Sequence, residues 1–382
     1  MTKSNTLFYN RDVEKRQYEI EKDKGYSNRG KGGYMRKLAS IQRVWKLESI
    51  DGADRIELAH VLGWQCVVNK GQFREGDLGV YFEIDSFLPV TAAFEFLRNS
   101  SFKHSDLLGD GFRLRTMRFK GQLSQGLILP VSVFPELSDL VIKEYMDVTE
   151  RLCVRKYEIP ERVTSAGTII GELPPEIPHT DETRIQSAPE LLDEFKGLPF
   201  YISTKMDGSS HSCCIDEEGD FHVTGHNYEY ADDGKSDYYM LLKDRQTEQK
   251  MRRYMDDNHL KTLTLQGEFC GEGIQKNRLK LKKPEWYVFT VRYDGERVSL
   301  DELMHCCREL GLQHVPIEEV GENLKERYPT VEALLERADG EYPSGGKKEG
   351  IVVRPVNPVY CPLISASLSF KVVNNKYLLK QG

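Results

Sequence analysis

No window of this 382-residue chain approaches the run of about 18 apolar residues that a membrane-crossing helix needs, and its N-terminus lacks the apolar core of a signal peptide. The expectation is a protein inside the cell, in the cytoplasm, with no membrane partner. Zinc-type spacing is missing as well. Among the eight cysteines, Cys66, Cys153, Cys270 and Cys361 stand alone and Cys213-Cys214 and Cys306-Cys307 are adjacent pairs. Without a Cys-x-x-Cys, reduced thiols are expected rather than zinc ligands. Nor is there a surplus of positive charge: 53 Lys and Arg face 60 Asp and Glu, a net of −7. Any contact with nucleic acid therefore has to rest on local basic clusters.

The chain is long enough for two or three domains, each with its own core, and 30% charged against 39% hydrophobic residues is an ordinary globular balance. Residues 1–33 are polar, end in Asn28-Arg29-Gly30-Lys31-Gly32-Gly33 and read as a mobile charged arm. Between 34 and 150, short strand-like runs at 39–47, 55–62, 65–68, 79–84, 113–119 and 127–129 are separated by turn signals. That spacing fits a small OB-like β-barrel. Arg113, Arg115, Arg118 and Lys120 cluster around a strand and the Gly121 turn; they could follow a nucleic-acid backbone, or simply protect a strand edge with charge. From 151 to 189 the prolines crowd (Pro160, Pro174, Pro175, Pro178, Pro189), as in a stiff link.

The remainder, 190–382, mixes strands and helices without regular βαβ alternation, which predicts an α+β domain. Strands are expected at 209–215, 221–224, 263–269, 286–291, 350–354 and 367–373. One helix is expected over 236–257, a second behind the Ser299/Glu302 capping box through 310, and a third over 331–338.

The chemistry centres on Lys205-Met206-Asp207-Gly208, which follows the apolar Pro199-Phe200-Tyr201-Ile202. A strand ending in an Asp-Gly turn leaves the lysine at its end. To act as a nucleophile it has to lose a proton held at about 10.4 in model peptides, through desolvation or a neighbouring positive charge such as a metal ion. Downstream come Gln266-Gly267-Glu268, Tyr287-Val288-Phe289, Glu349-Gly350-Ile351-Val352-Val353-Arg354 and Phe370-Lys371. Nucleotidyl transfer to an amine needs cations on the phosphate, a ribose acceptor, an aromatic platform for the base and carboxylates for Mg²⁺. Taken singly, Glu268 and Glu349 could be surface charges, Phe289 core and Lys371 an edge lysine; their joint order is what singles them out.

That ordered set resembles the covalent nucleotidyltransferase superfamily of DNA ligases, RNA ligases and mRNA capping enzymes. Thr180-Asp181-Glu182-Thr183-Arg184-Ile185-Gln186 before the lysine, with Gly267-Glu268-Phe269-Cys270-Gly271 and Ile274-Gln275-Lys276-Asn277 after it, is most similar to the ATP-dependent RNA ligases that carry an N-terminal OB module. The resemblance implies a lysyl-AMP intermediate on Lys205, ATP and Mg²⁺ or Mn²⁺ as cofactors, and Asp207, Glu268 and Glu349 at the metal. It implies catalytic roles for Glu268, Glu349 and Lys371, and adenine stacked on Phe289. Arg184, Ile185, Gln186, Thr204, Gly208 and His226 would complete the nucleotide pocket, Thr204 standing where many relatives have a glutamate and His226 in the region of an expected arginine. Gln275, Lys276 and Asn277 would join the basic cluster on RNA. The implied partners are RNA strands with 3′-hydroxyl and 5′-phosphate ends, a nicked duplex among them, and the protein is expected to be a monomer acting in RNA repair or nick sealing. A DNA ligase, a GTP-dependent capping-type enzyme and an inactive nucleic-acid-binding protein remain as alternatives.

Overall fold

Strand β1 (Ala39–Ser49) serves two neighbours in the computed structural model, which describes residues 36–157 and 167–380. The expected arm at 1–33 and the middle of the Pro-rich link lie outside those residues. Residues 39–43 pair with β4 (Leu78–Phe82), residues 44–49 pair with β2 (Ile56–Val61), and the register slips between Val44 and Lys46. A bulge of this kind bends a strand and sharpens its twist. With β3 (Trp64–Asn69) and β5 (Leu127–Pro130) the order is β5-β4-β1-β2-β3, every pair antiparallel. Gln125 N–H donates to the Gln65 carbonyl at 2.8 Å and draws the sheet's two ends together.

The barrel buries Ile41, Val80, Phe82, Phe94 and Phe112 on one side. On the other, Trp64, Cys66, Tyr81 and Ile128 pack with Val373, Tyr377 and Leu378 from the far end of the chain. Each large apolar side chain buried there contributes roughly 1.5–3 kcal/mol, so the barrel shares part of its core with the second unit. The single strand expected over 113–119 is broken. Gly109–Arg113 pairs with Phe102–Ser105 and with Ser86–Leu88, whereas Met117–Phe119 folds back on Gln122–Ser124. The break falls after Leu114, whose N–H still donates to the Ser86 carbonyl at 2.9 Å and whose carbonyl accepts from the Asp85 N–H at 3.0 Å. The chain then leaves that sheet, and Lys120 at φ 48° with Gly121 at φ 84° closes the separate hairpin.

Two sheets build the second unit. One has the central order β8-β7-β9-β10, from β7 (Ser209–Ile215), β8 (Phe221–Thr224), β9 (Leu263–Cys270) and β10 (Glu285–Tyr293). Tyr228–Tyr230 extends it beyond β8, and Ile169–Glu172, from the Pro-rich stretch, pairs onto that as the last strand. The other has the order β11-β6-β12-β13, from β6 (Phe200–Lys205), β11 (Ile317–Gly321), β12 (Gly350–Pro355) and β13 (Phe370–Val373).

Helices α1 (Asp237–Asp244), α2 (Thr247–Asn258) and α3 (Leu300–Leu310) cover the first sheet through Tyr238, Leu242, Met251, Cys306 and Leu310. Helix α4 (Val331–Ala338) covers the second. The one helix expected at 236–257 is two, because Gln246 sits at φ 54° between them. That left-handed residue turns the axis so that both apolar faces reach the sheet, and the burial offsets its strain. The capping box at Ser299 is present in full. No helix among the described residues is long and apolar enough to cross a membrane.

Candidate active site

Lys205 is the last residue of β6 and lies opposite Gly350, the first of β12. This register brings its Nζ to 2.8 Å from Glu349 Oε1. Tyr342 fastens the two strand ends: its hydroxyl donates to the Lys205 carbonyl at 2.8 Å and accepts from the Glu349 N–H at 3.1 Å. Glu268, on β9, accepts from the Gly208 N–H at 3.0 Å. A Cβ on Gly208 would meet the Phe269 carbonyl at 2.3 Å, so the turn after the lysine can approach β9 this closely only as glycine.

Asp207 points the other way, accepting from Tyr377 OH at 2.7 Å and from Arg278 at 2.5 Å, with the Arg278 guanidinium 4.3 Å from the centre of the Tyr377 ring. Lys371, on β13, donates its N–H to the Thr183 carbonyl at 2.8 Å, and Arg184 bridges to it in parallel. Arg184 also grips Asp85 of the barrel at 2.8 Å.

These charges set each other's protonation. Burial works against the Lys205 ammonium, but Glu349, Glu268 and Asp207 outweigh it and raise the lysine above its ordinary value. Burial, reinforced by Glu349 and Asp207 and opposed by Lys205, pushes the Glu268 carboxyl up to about 8. Burial also brings Lys371 down to about 8, with Arg184, Lys205 and Arg36 acting in the same direction against Asp181. Although desolvated, the Asp181 carboxyl falls to about 2 beside Lys371, Lys156, His226 and His179. A buried patch with two carboxylates about one lysine has the donor chemistry of a divalent-cation site. No group of three His, Cys, Asp or Glu side chains among the described residues is arranged to hold a metal directly, and both Asp207 oxygens are engaged. Glu268 and Glu349 therefore fit a hydrated cation, with water completing its shell.

The other expected residues divide between the cleft and its supports. Phe289 is half-buried against Met206, Cys270 and Val315. It lines a cavity of about 260 Å³ together with Gln266, Glu182 and Arg354. His226 lies 3.8 Å from Asp181. Thr204 gives its hydroxyl to Glu318 at 2.7 Å. Ile185 is buried with Ile202, Ile351 and Phe370 of the β11-β6-β12-β13 sheet, and the Gln186 carbonyl accepts from Gly63 of the barrel at 2.9 Å.

Arg113 packs over Tyr157 at 4.5 Å and faces Asp85 at 3.9 Å. Arg115 and Arg118 line a second cavity of about 260 Å³ under the hairpin, and Lys120 is exposed at its tip. Gln275, Lys276 and Asn277 belong to the loop after β9, where Lys276 Nζ reaches the Lys380 carbonyl at 3.3 Å and the Asn277 side chain holds Leu281.

Sequence reasoning missed Arg278, Tyr342, Tyr377, Asp85 and the buried Glu182–Arg354 pair at 2.6 Å. Glu182 and Arg354 stand inside stretches already singled out, so their opposite charges were a usable signal. Tyr377 meets Asp207 across 170 positions of chain, and no periodicity reports that.

A family model described as RNA ligase matches residues 198–373, and one described as an OB-fold domain matches residues 38–131. No curated protein matches the chain. Among solved structures, a glutamate-to-alanine variant of Naegleria gruberi RNA ligase with AMP and Mn is 34% identical, with a TM-score of 0.80 over 90% of this chain and 99% of that one. A lysine-to-alanine variant with ATP and Mn gives the same figures. The Naegleria gruberi RNA ligase with PPi is 35% identical over 91% of this chain and 99% of its own, with a TM-score of 0.79.

Proposed function

The chain is a member of the RNA ligase family, and on that premise we propose that it joins RNA 3′-hydroxyl and 5′-phosphate ends with ATP, in RNA repair or nick sealing. Lys205, once it has shed its surplus proton, attacks the α-phosphorus; the Nζ–P bond forms, the P–O bond to pyrophosphate breaks and lysyl-AMP results. A 5′-phosphate oxygen then attacks that phosphorus and releases the lysine. Finally the 3′-hydroxyl oxygen attacks the capped phosphate and expels AMP.

The observation that carries this reading is the setting of Lys205, its Nζ 2.8 Å from Glu349, with Glu268 and Asp207 also acting on that amine and the charge of Lys205 in turn felt at Lys371. Lys205 is held protonated by the carboxylates around it. Mg²⁺ or Mn²⁺ at Glu268 and Glu349 would supply the positive charge that loosens this proton. Lys371 meets the α-phosphate, Phe289 stacks on adenine, and Asp207, anchored by Arg278 and Tyr377, orients the metal's water shell. Arg184, Ile185, Gln186, Thr204, Gly208 and His226 shape the remainder of the nucleotide pocket. The division of labour is a barrel over 34–150 that grips RNA, a 151–189 link that leads into the pocket, and an adenylyltransferase domain over 190–382. The Naegleria structures with ATP and Mn support the choice of nucleotide and a divalent cation.

The test is incubation with Mg²⁺ and ATP or GTP labelled at the α-phosphate, followed by a denaturing gel. Label from ATP on the wild type and none on Lys205→Ala is expected. Label from GTP alone would move the chemistry to capping. An unlabelled wild type, after pyrophosphate treatment to strip bound AMP, would refute the proposal.

A further inference from the structure

The hairpin Met117–Phe119/Gln122–Ser124 carries an aromatic ring that the fold does not use. Phe119 is 39% exposed and flanked by exposed Arg118 and Lys120, and the two-residue turn at Lys120-Gly121 keeps it at the hairpin's end. Directly inward lies the second cavity, lined by Arg113, Arg115 and Arg118 with Asp85 the one carboxylate on its wall. Asp85 is shared among Arg184, Arg36 and Arg113. Even so, Arg113 Nε and Arg184 Nε and Nη1 are buried without a hydrogen-bond partner among the described residues. The Arg184 backbone in turn pairs with that of Lys371, and the two positive charges are close enough to act on each other.

Cations thus run from the hairpin's end to the lysine beside the nucleophile, with buried donors that lack acceptors. Buried donors of this kind call for an acceptor, and phosphate oxygens suit arginine best. A free polyphosphate would satisfy the inner donors but has nothing to place on an exposed ring. A nucleic-acid strand has both a backbone for the arginines and bases for the aromatic.

Resting on the RNA-ligase reading, we propose that Phe119 is a stacking platform for the first bases of the 5′-phosphate RNA strand. The terminal phosphate lies at Arg184 and Lys371, and the backbone passes over Arg115 and Arg118. This fixes the strand's polarity, since the 5′-phosphate is the group that has to reach the AMP on Lys205.

The experiment uses the full chain and a nicked RNA duplex with 2-aminopurine at the first or the second nucleotide of the 5′-phosphate strand. Stacking on Phe119 changes the probe's fluorescence when wild type binds, at one of the two positions. Phe119→Ala should abolish that change and raise the KM for this strand roughly five- to a hundredfold, and Phe119→Trp should restore both. A Phe119→Ala variant with wild-type KM and an intact fluorescence change overturns the proposal while leaving the ligase reading in place. Loss that Phe119→Trp does not rescue also overturns it, because it assigns the ring a merely structural role. A wild type that seals no RNA removes both readings together.

Discussion

Arg354→Met tests how the two sheets of the catalytic unit are held against each other. Arg354 is 4% exposed and reaches Glu182 Oε1 at 2.6 Å, Ser369 Oγ and Thr290 Oγ1 at 3.2 Å each, and the Phe289 carbonyl. One guanidinium thus ties β12 to β10, to the residue preceding β13 and to the segment entering the cleft. Despite its burial, Glu182 falls from 4.5 to about 2, chiefly through Arg354 with help from Arg297 and Ser369. That difference, at about 1.4 kcal/mol per pH unit, corresponds to roughly 3 kcal/mol of charge interaction. Stripping one partner from a buried pair typically costs about 3–5 kcal/mol, so both routes put the loss near 3 kcal/mol.

Urea unfolding of wild type, Arg354→Met, Glu182→Gln and the double variant measures it. The double variant should lose at least about 1 kcal/mol less than the two single losses added together. Because the folded carboxyl is depressed, the pair's contribution is whole above about 4.5 and disappears as pH falls through about 2. The Arg354→Met deficit should therefore shrink towards low pH. A deficit under about 1 kcal/mol at neutral pH, with an unchanged denaturant slope, would refute the clamp.

Three further outcomes can be checked. With Lys371 at about 8 in the free protein, bound triphosphate should raise that value. Affinity for a non-hydrolysable ATP analogue should then be level below about pH 8 and fall by up to about tenfold per pH unit above it, a dependence that Lys371→Met removes; a level wild-type profile to pH 9.5 would contradict this. Burial holds His211 neutral down to about 3, stacked 4.6 Å from Tyr238, whereas in the unfolded chain it binds a proton near 6.5. Stability should drop by up to about 1.4 kcal/mol per pH unit below that point, and calorimetry should find a smaller drop between pH 7.5 and 5 in His211→Phe. Tyr342→Phe, losing its bonds to the Lys205 carbonyl and the Glu349 N–H, should slow lysyl-AMP formation roughly tenfold with KM for ATP unchanged. An equal rise in KM would assign the hydroxyl to substrate binding instead.

The strands carrying Lys205, Glu268, Phe289, Glu349 and Lys371 were legible because each is a short β-branched or aromatic run beside a turn signal, and strand edges at 263, 350 and 373 agree with the reading. The helix at 236–257 was misjudged because a helical period continues through Gln246, where only the demand to cover a sheet reverses the backbone. The strand at 113–119 was misjudged because the turn at Gly121 was legible but the exit from one sheet after Leu114 was not, Arg115 and Thr116 carrying no turn residue. The Pro-rich stretch held more than a connection: Gln266 donates to the Pro178 carbonyl at 2.8 Å, and Glu182 seats on Arg354.

By itself the sequence determined the inventory, since nucleophile, carboxylates, aromatic and second lysine are chemical types at ordered positions, readable without coordinates. Tertiary structure alone decided their state. Lys205 is protonated because register puts Glu349 beside it, Lys371 is softened because burial and Arg184 meet there, and Asp207 is occupied because Tyr377 returns from the far end of the chain. Charge interaction falls with distance in space, and separation along a chain does not encode that distance.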